Sequence, residues 1–217
     1  MRMNDRKGLI AVLIILLVII ADQTLKIWVK THFYLGEDYE ITSWFHLRFI
    51  ENNGMAFGLE LWNKYILTFG RIIAVAFFLW YIIRAAAIRR LRTGFLVACA
   101  LITAGAAGNI FDCVLYGVIF NDPMPPAVAQ FLPPGGGYAP FFEGRVVDML
   151  YFPLFTINFG GGEWEFFQYI FNIADASICV GVFLLILFYS RDMALSWHLL
   201  FPSSKKKRRS RSLRSRQ

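Results

Sequence analysis

"GLIAVLIILLVIIADQTLKIWVK", residues 8–30, carries no charged side chain except Asp22, Lys26 and Lys30. A bilayer's hydrocarbon layer takes about 20 mostly apolar helical residues, and this run is long enough to cross it. Arg6 and Lys7 precede it, as basic residues precede a secretory leader, but no small-x-small cleavage site follows. The helical spacing instead continues through Asp22 and Lys26, so the run is predicted to be a retained helix rather than a removed leader.

Composition agrees with a membrane protein. With 57% hydrophobic and 17% charged residues, the 217-residue chain is too apolar for an ordinary soluble domain. Three further runs qualify as spans, roughly 65–88, 94–119 and 169–190. Lys and Arg outside the spans concentrate at the N-terminus (Arg2, Arg6, Lys7), in the link after the second span (Arg84, Arg89, Arg90, Arg92) and after the fourth (Arg191 and the tail). The positive-inside rule therefore predicts both termini in the cytoplasm and the connections 31–64 and 120–168 on the outer side.

The overall charge of +7 is not spread over the protein, because the tail "SSKKKRRSRSLRSRQ" (203–217) alone holds eight Lys or Arg and no acid. The chain thus divides into a four-helix membrane domain, residues 1–202, and a basic cytoplasmic tail, 203–217. A tail of like charges without apolar partners builds no core. It also has no aromatic residue on which a base would stack, so no nucleic-acid partner is expected. Attraction of the tail to anionic head groups is the other reading of its charge. Cys99, Cys113 and Cys179 all fall in apolar runs without metal-ligand spacing, which speaks against disulfides and zinc. His32, His46 and His198 are not spaced as metal ligands either.

The outer connections differ from one another. "YEITSWFHLRFIENNGMAFGL" (39–59) mixes β-branched, aromatic and polar residues before a Gly-containing turn, which predicts short strands at the membrane surface. "NDPMPPAVAQFLPPGGGYAPFFEG" (121–144) is rich in Pro and Gly and reads as an irregular loop.

The polar residues of the spans gather at one depth. At about 1.5 Å rise per residue, Asp22 and Lys26 lie late in the first span, Asn109 and Asp112 late in the third, and Asn172 and Asp175 early in the returning fourth. All six sit near the outer boundary, and Asp148 in "GRVVDML" can reach the same level. Asp22 and Lys26 are spaced (i, i+4), as an intrahelical ion pair would be; Asn109/Asp112 and Asn172/Asp175 are (i, i+3) pairs. For the two asparagines a helix-packing hydrogen bond is the alternative role. Asp148 and Asp175 have no basic residue at helical spacing, since the β-branched pair after Arg145 argues against a helix there. Two carboxylates brought together in a low-dielectric site share one proton and titrate as a pair. One member then takes a proton from water while the other polarises a carbonyl, as in aspartic proteases. A proton-coupled transporter or channel subunit is the competing class, but it predicts acids throughout the membrane depth, and the inner halves of the four runs have none.

On these residues the chain resembles the bacterial lipoprotein signal peptidases, also called type II or prolipoprotein signal peptidases. "DQTLK" (22–26) resembles the family's first-helix motif through Asp22, Gln23 and Lys26. "NNGMAFG" (52–58) resembles its outer-loop motif through Asn52, Gly54, Ala56 and Phe57, and "GNIFD" (108–112) its third-helix motif through Gly108, Asn109 and Asp112. "RVVDM" (145–149) and "FNIAD" (171–175) resemble the motifs holding the catalytic aspartates, here Asp148 and Asp175. The resemblance implies an inner-membrane aspartic endopeptidase that removes the signal peptide of prolipoproteins just before a diacylglyceryl-modified Cys, with its active site at the outer face. It implies further that Asp22, Lys26, Asn52, Gly54, Asn109, Asp112, Arg145 and Asn172 hold the substrate or support the dyad. No metal or organic cofactor is expected, and the expected partners of a monomeric enzyme are its lipidated substrate and membrane lipids. The chain departs from the family twice: Cys113 stands where an Arg usually follows the third-helix Asp, and the connection from Tyr116 to Gly144 is much longer.

Overall fold

The computed structural model of the chain describes residues 5–52, 64–159 and 162–202. Helix α1 (Asp5–His32) is one uninterrupted rod. A lipid-embedded segment must satisfy its backbone hydrogen bonds internally, and α1 has no proline to break them. α2 spans Lys64–Ala86 and α3 Thr93–Phe111. α3 continues through a π-helical turn, Asp112–Tyr116, into the short α4, Gly117–Ile119. α5 (Ile173–Phe188) and α6 (Ser190–Leu200) complete the helices. Among the described residues, three helical stretches are long and apolar enough to cross a membrane, and a fourth if α5 and α6, bent by 89°, form one crossing.

α5 begins four residues inside the segment expected from hydropathy. Ile170–Phe171 form strand β6, and Asn172 caps the helix. The 16 residues of α5 span about 24 Å, less than the ~30 Å of an average hydrocarbon layer.

Small residues bring α3 and α5 together. A Cβ at Gly105 would lie 2.2 Å from the Ala174 carbonyl oxygen, and one at Gly181 would lie 2.8 Å from that of Ala98. Close backbone approach at small residues is how membrane helices gain contact where lipid offers no hydrophobic drive.

The connection after α1 forms strands as its composition predicts: β1 (Asp38–Thr42) and β2 (Phe45–Asn52). They join β3 (Val146–Tyr151) and β6 in an antiparallel sheet of order β1-β2-β3-β6. In β3, Val147 and Met149 point into an apolar cluster with Val29, Phe49, Tyr116 and Phe120. Side chains alternate across a strand, so Asp148 lies on the other face. A separate hairpin, β4 (Phe155–Phe159) with β5 (Gly162–Phe166), was not apparent from composition.

Residues 121–144 form no strand or helix, as their Pro and Gly content implies. Their backbone nevertheless has a defined task. The N–H groups of Gly144 and Phe142 donate to the carbonyls of Cys113 (2.9 Å) and Val114 (3.2 Å), and those of Ala139 and Tyr138 to Gly117 and Phe120 (2.9 Å each). The loop thus satisfies carbonyls at a helix end that would otherwise lack partners. Gly144 is required by this approach, since a Cβ there would sit 2.1 Å from the Asp112 carbonyl oxygen.

Candidate active site

The N-terminal end of α5 organises the polar layer. Asn172 and Asp175 form a reciprocal capping box: Asp175 N–H donates to Asn172 Oδ1 at 2.9 Å, and Asn172 N–H donates to Asp175 Oδ2 at 3.4 Å. The carboxylate sits in the first turn, where the helix dipole favours negative charge. Asn109 Nδ2, from α3, donates to Asp175 Oδ1 at 2.7 Å.

Asn172 also reaches the other aspartate. Its side chain is fully buried, and its Nδ2 lies 2.6 Å from Asp148 Oδ1, 3.1 Å from Asn109 Oδ1 and 3.2 Å from the Val147 carbonyl. Asn52 Nδ2, from the end of β2, donates to Asp148 Oδ2. Asp148 itself is 2% exposed, whereas Asp175 is partly open. Burial, and then the neighbouring charge of Asp175, push the Asp148 carboxyl up to about 8. The two aspartates therefore differ in environment: one is sealed and proton-retaining, the other is partly accessible at a helix terminus.

Below this pair lies an ionic knot. Lys26 Nζ, fully buried, is 2.8 Å from Asp22 Oδ2, 2.7 Å from Asp112 Oδ2 and 2.9 Å from Asn109 Oδ1. Gln23 Nε2 donates to Asp112 Oδ1 (2.8 Å) and lies near Asp22 Oδ2 (3.1 Å) and the Gly108 carbonyl (3.2 Å), while Tyr116 Oη donates to Gln23 Oε1 (3.0 Å). Asp22 Oδ1 accepts from the Ala174 N–H at 2.9 Å, one of the orphan donors of the first turn of α5. Asp112 Oδ2 also accepts from Val147 N–H in β3, at 3.4 Å. The (i, i+4) pair Asp22–Lys26 thus forms as its spacing suggests, but its reach is wider: α1, α3, α5 and β3 are tied together at this one level.

Arg145 lies at the base of the strand that carries Asp148. Its Nη1 pairs with Glu51 Oε2 at 3.1 Å and Asp122 Oδ2 at 3.0 Å, and its guanidinium stacks over Tyr138. It braces the start of β3 against β2 and the long loop. Glu51 also pairs with Lys30, which is buried among the rings of Phe49, Phe120 and Tyr138. Glu51 and Lys30 were not among the expected site residues. Lys30 could have been found, because Asp22, Lys26 and Lys30 repeat at four-residue intervals on one helix face. Gly54, with Ala56 and Phe57, lies outside the described residues.

Among the described residues, no group of three or more His, Cys, Asp or Glu side chains is arranged to hold a metal ion. What the arrangement offers is a pair of unequal carboxyl groups, each fixed by asparagine amides, at the rim of a helix bundle beneath a small sheet.

Comparison with known proteins leads to the same chemistry. The profile of the Signal peptidase (SPase) II family matches residues 14–191. The lipoprotein signal peptidase of Porphyromonas gingivalis is 42% identical over 196 residues, covering 87% of this chain and 86% of that protein. That of Amoebophilus asiaticus is 33% identical over 186 residues, covering 80% and 75%. A solved structure described as a bacterial membrane enzyme, determined at 1.9 Å by the in meso method, superposes with a TM-score of 0.55 at 27% identity, covering 82% of this chain and 90% of that one. With its family match running from the first helix to the end of α5, this chain belongs to the signal peptidase II family of aspartic peptidases.

Proposed function

We propose that the enzyme removes signal peptides from prolipoproteins by hydrolysis at the Asp148–Asp175 pair, cutting before a Cys that carries diacylglycerol. The observation that carries this reading is the buried Asn172 amide, which links Asp148 on β3 to Asn109 on α3 while its oxygen caps the turn that bears Asp175. Relatives named as lipoprotein signal peptidases supply the substrate class. Asp148 holds the shared proton and polarises the scissile carbonyl; Asp175, partly open, takes the proton of the attacking water. Asn109, Asn172 and Asn52 hold the two carboxyls, and the Lys26 knot holds the elements that carry them.

Topology completes the proposal. α1, α2, α3 and α5 make four crossings, with both termini in the cytoplasm and the dyad at the outer face of the inner membrane. Residues 1–202 form the peptidase domain and 203–217 the basic tail. α5 is shorter than the hydrocarbon layer, so its N-terminus, with Asp175, sits at the depth where a lipid-anchored substrate presents its first residues.

A diacylglyceryl group confines the substrate to the bilayer and adds apolar binding. The lipidated precursor should therefore be cleaved at least about a hundredfold faster than the same peptide without lipid. Mass spectrometry of released signal peptide in proteoliposomes measures this; equal rates would contradict the proposal. Ending the chain after Pro202 should leave the cleavage rate largely unchanged, because the tail leaves the molecule at the end remote from the dyad. A large loss in correctly inserted, equally abundant truncated protein would place the tail in the peptidase function.

The pH profile follows from Asp148. Below about pH 8 Asp148 keeps its proton; as pH rises through that value the proton is lost and Asp148 no longer polarises the carbonyl. kcat/KM should fall about tenfold per pH unit on the alkaline side. A rate constant to pH 9.5 in proteoliposomes would remove Asp148 from this role.

A further inference from the structure

The end of the molecule opposite the dyad has its own chemistry. Lys7 Nζ, at the start of α1, donates to the carbonyls of Leu91 (2.6 Å) and Arg89 (3.2 Å), so the N-terminus and the α2–α3 link meet there. The elbow between α5 and α6 joins them through Arg92, whose N–H and Nε bind the Asp192 carboxylate at 3.0 and 2.7 Å. Arg6, Lys7, Arg84, Arg89, Arg90, Arg92 and Arg191 are gathered at this end, and the eight cations of the tail follow α6 directly.

α6 is built inside out for a helix in water. Two of its polar residues face the protein while Ser190, Arg191 and His198 stay exposed: Asp192 is buried against Arg92, and the fully buried Ser196 hydroxyl meets Tyr81 Oη. Leu195 and Leu200 pack against the core, but Met193, Trp197 and Leu199 face outward, 45%, 54% and 49% exposed. The axis turns by 89° from α5, so where α5 crosses the bilayer α6 runs parallel to its surface. An apolar outer stripe with an interfacial Trp is what a helix lying in the headgroup layer presents. At the elbow a cleft of about 480 Å3 is lined by the apolar Leu187, Phe188 and Leu195 together with Ser190, Arg191 and the Arg92–Asp192 pair. Apolar side chains beside the exposed Arg191, with Arg92 already paired to Asp192, offer contacts to both halves of an anionic phospholipid.

We infer that this end is an anionic-phospholipid site, in which α6 lies in the headgroup layer, the elbow cleft takes a lipid phosphate against Arg191 and Arg92, and the tail adds longer-range attraction. The orientation rests on the topology proposed above, but lipid association is measured without reference to cleavage. The test uses the full chain in phosphatidylcholine vesicles containing a minority of phosphatidylglycerol, with spin-labelled forms of each lipid as probes. Phosphatidylglycerol should associate with the protein about threefold or more over phosphatidylcholine, as a few surface cations predict. Arg191→Gln should at least halve that preference while leaving cleavage unchanged. Quenching of Trp197, read as the difference from Trp197→Phe, should be strong with lipids brominated near the headgroup and weak with aqueous acrylamide. Equal association of the two lipids would overturn the inference. So would a preference untouched by Arg191→Gln and abolished by ending the chain at Pro202, or one displaced by inorganic phosphate at constant ionic strength, which would mark a site for free anions. Trp197 quenched by acrylamide as readily as free tryptophan would remove α6 from the interface.

Discussion

Asp148→Asn and Asp175→Asn should each lower cleavage at least about a thousandfold while leaving a folded membrane protein. The chemical loss follows because an amide neither takes a proton from water nor donates one to a carbonyl oxygen with the strength of a carboxyl group. The fold should survive because the existing partners accommodate the change. The introduced amide keeps one oxygen, so one of the two donors retains its acceptor at each position: Asn172 N–H or Asn109 Nδ2 at 175, and Asn52 or Asn172 at 148. Expression level and thermal unfolding in detergent check the fold, and signal-peptide release checks the chemistry. Near-normal turnover in either variant would end the assignment of the dyad.

Lys26→Met should do the reverse and remove the fold first. The ammonium is fully buried between Asp22 and Asp112, and its removal leaves two buried carboxylates facing one another. Breaking a buried pair in this way costs about 3–5 kcal/mol, a large share of a typical stability of ~5–15 kcal/mol. The knot ties α1 to α3, α5 and β3, so the loss should appear as lower yield and a lower unfolding temperature. Adding Asp22→Asn and Asp112→Asn to Lys26→Met removes the stranded charges and should recover part of the stability, because the three sites are coupled. If Lys26→Met unfolds at the wild-type temperature, the knot is not what holds these elements. Thermal unfolding of the single and triple variants in one detergent decides the matter.

These two outcomes divide residues that look alike in the sequence. Asp22, Asp112, Asp148 and Asp175 are all carboxylates near one depth; helical rise brings the first two and the last to one layer, and Asp148, on strand β3, reaches it from the preceding connection. What separates them is the partner each finds. Lys26 at four residues from Asp22 was visible as a pair, yet its second bond, to Asp112, needed the packing of α1 on α3. Asn172 and Asp175 were legible as neighbours on a helix face; the structure shows a capping box, because β6 ends at Phe171 and leaves Asn172 at the cap. The partners of Arg145 were hidden for a related reason: Glu51 and Asp122 come from β2 and the long loop, and no local spacing predicts either. Gln23 was visible within its motif, but its bonds to Asp112 and Tyr116 span the bundle.

At the level of fold, apolar runs announce α1, α2 and α3 because a helix in lipid needs little more than length and hydrophobicity. α6 escapes the same reading, since its composition is mixed and two of its polar residues, Asp192 and Ser196, face inward. The β4–β5 hairpin escapes it as well, lying in a stretch whose glycines and aromatics suit loop and strand alike. The family match leaves the transporter reading without support.

The central claim is that the Asp148–Asp175 pair hydrolyses a prolipoprotein at its lipidated Cys. Its most direct test incubates purified full-length protein, in proteoliposomes with a chelator present, with a diacylglyceryl-modified prolipoprotein, and determines the product masses. The account predicts a free signal peptide and a mature product beginning at the lipidated Cys, neither of them formed by the Asp148→Ala/Asp175→Ala double variant. No cleavage by the wild-type chain, or cleavage that persists in the double variant, would contradict it.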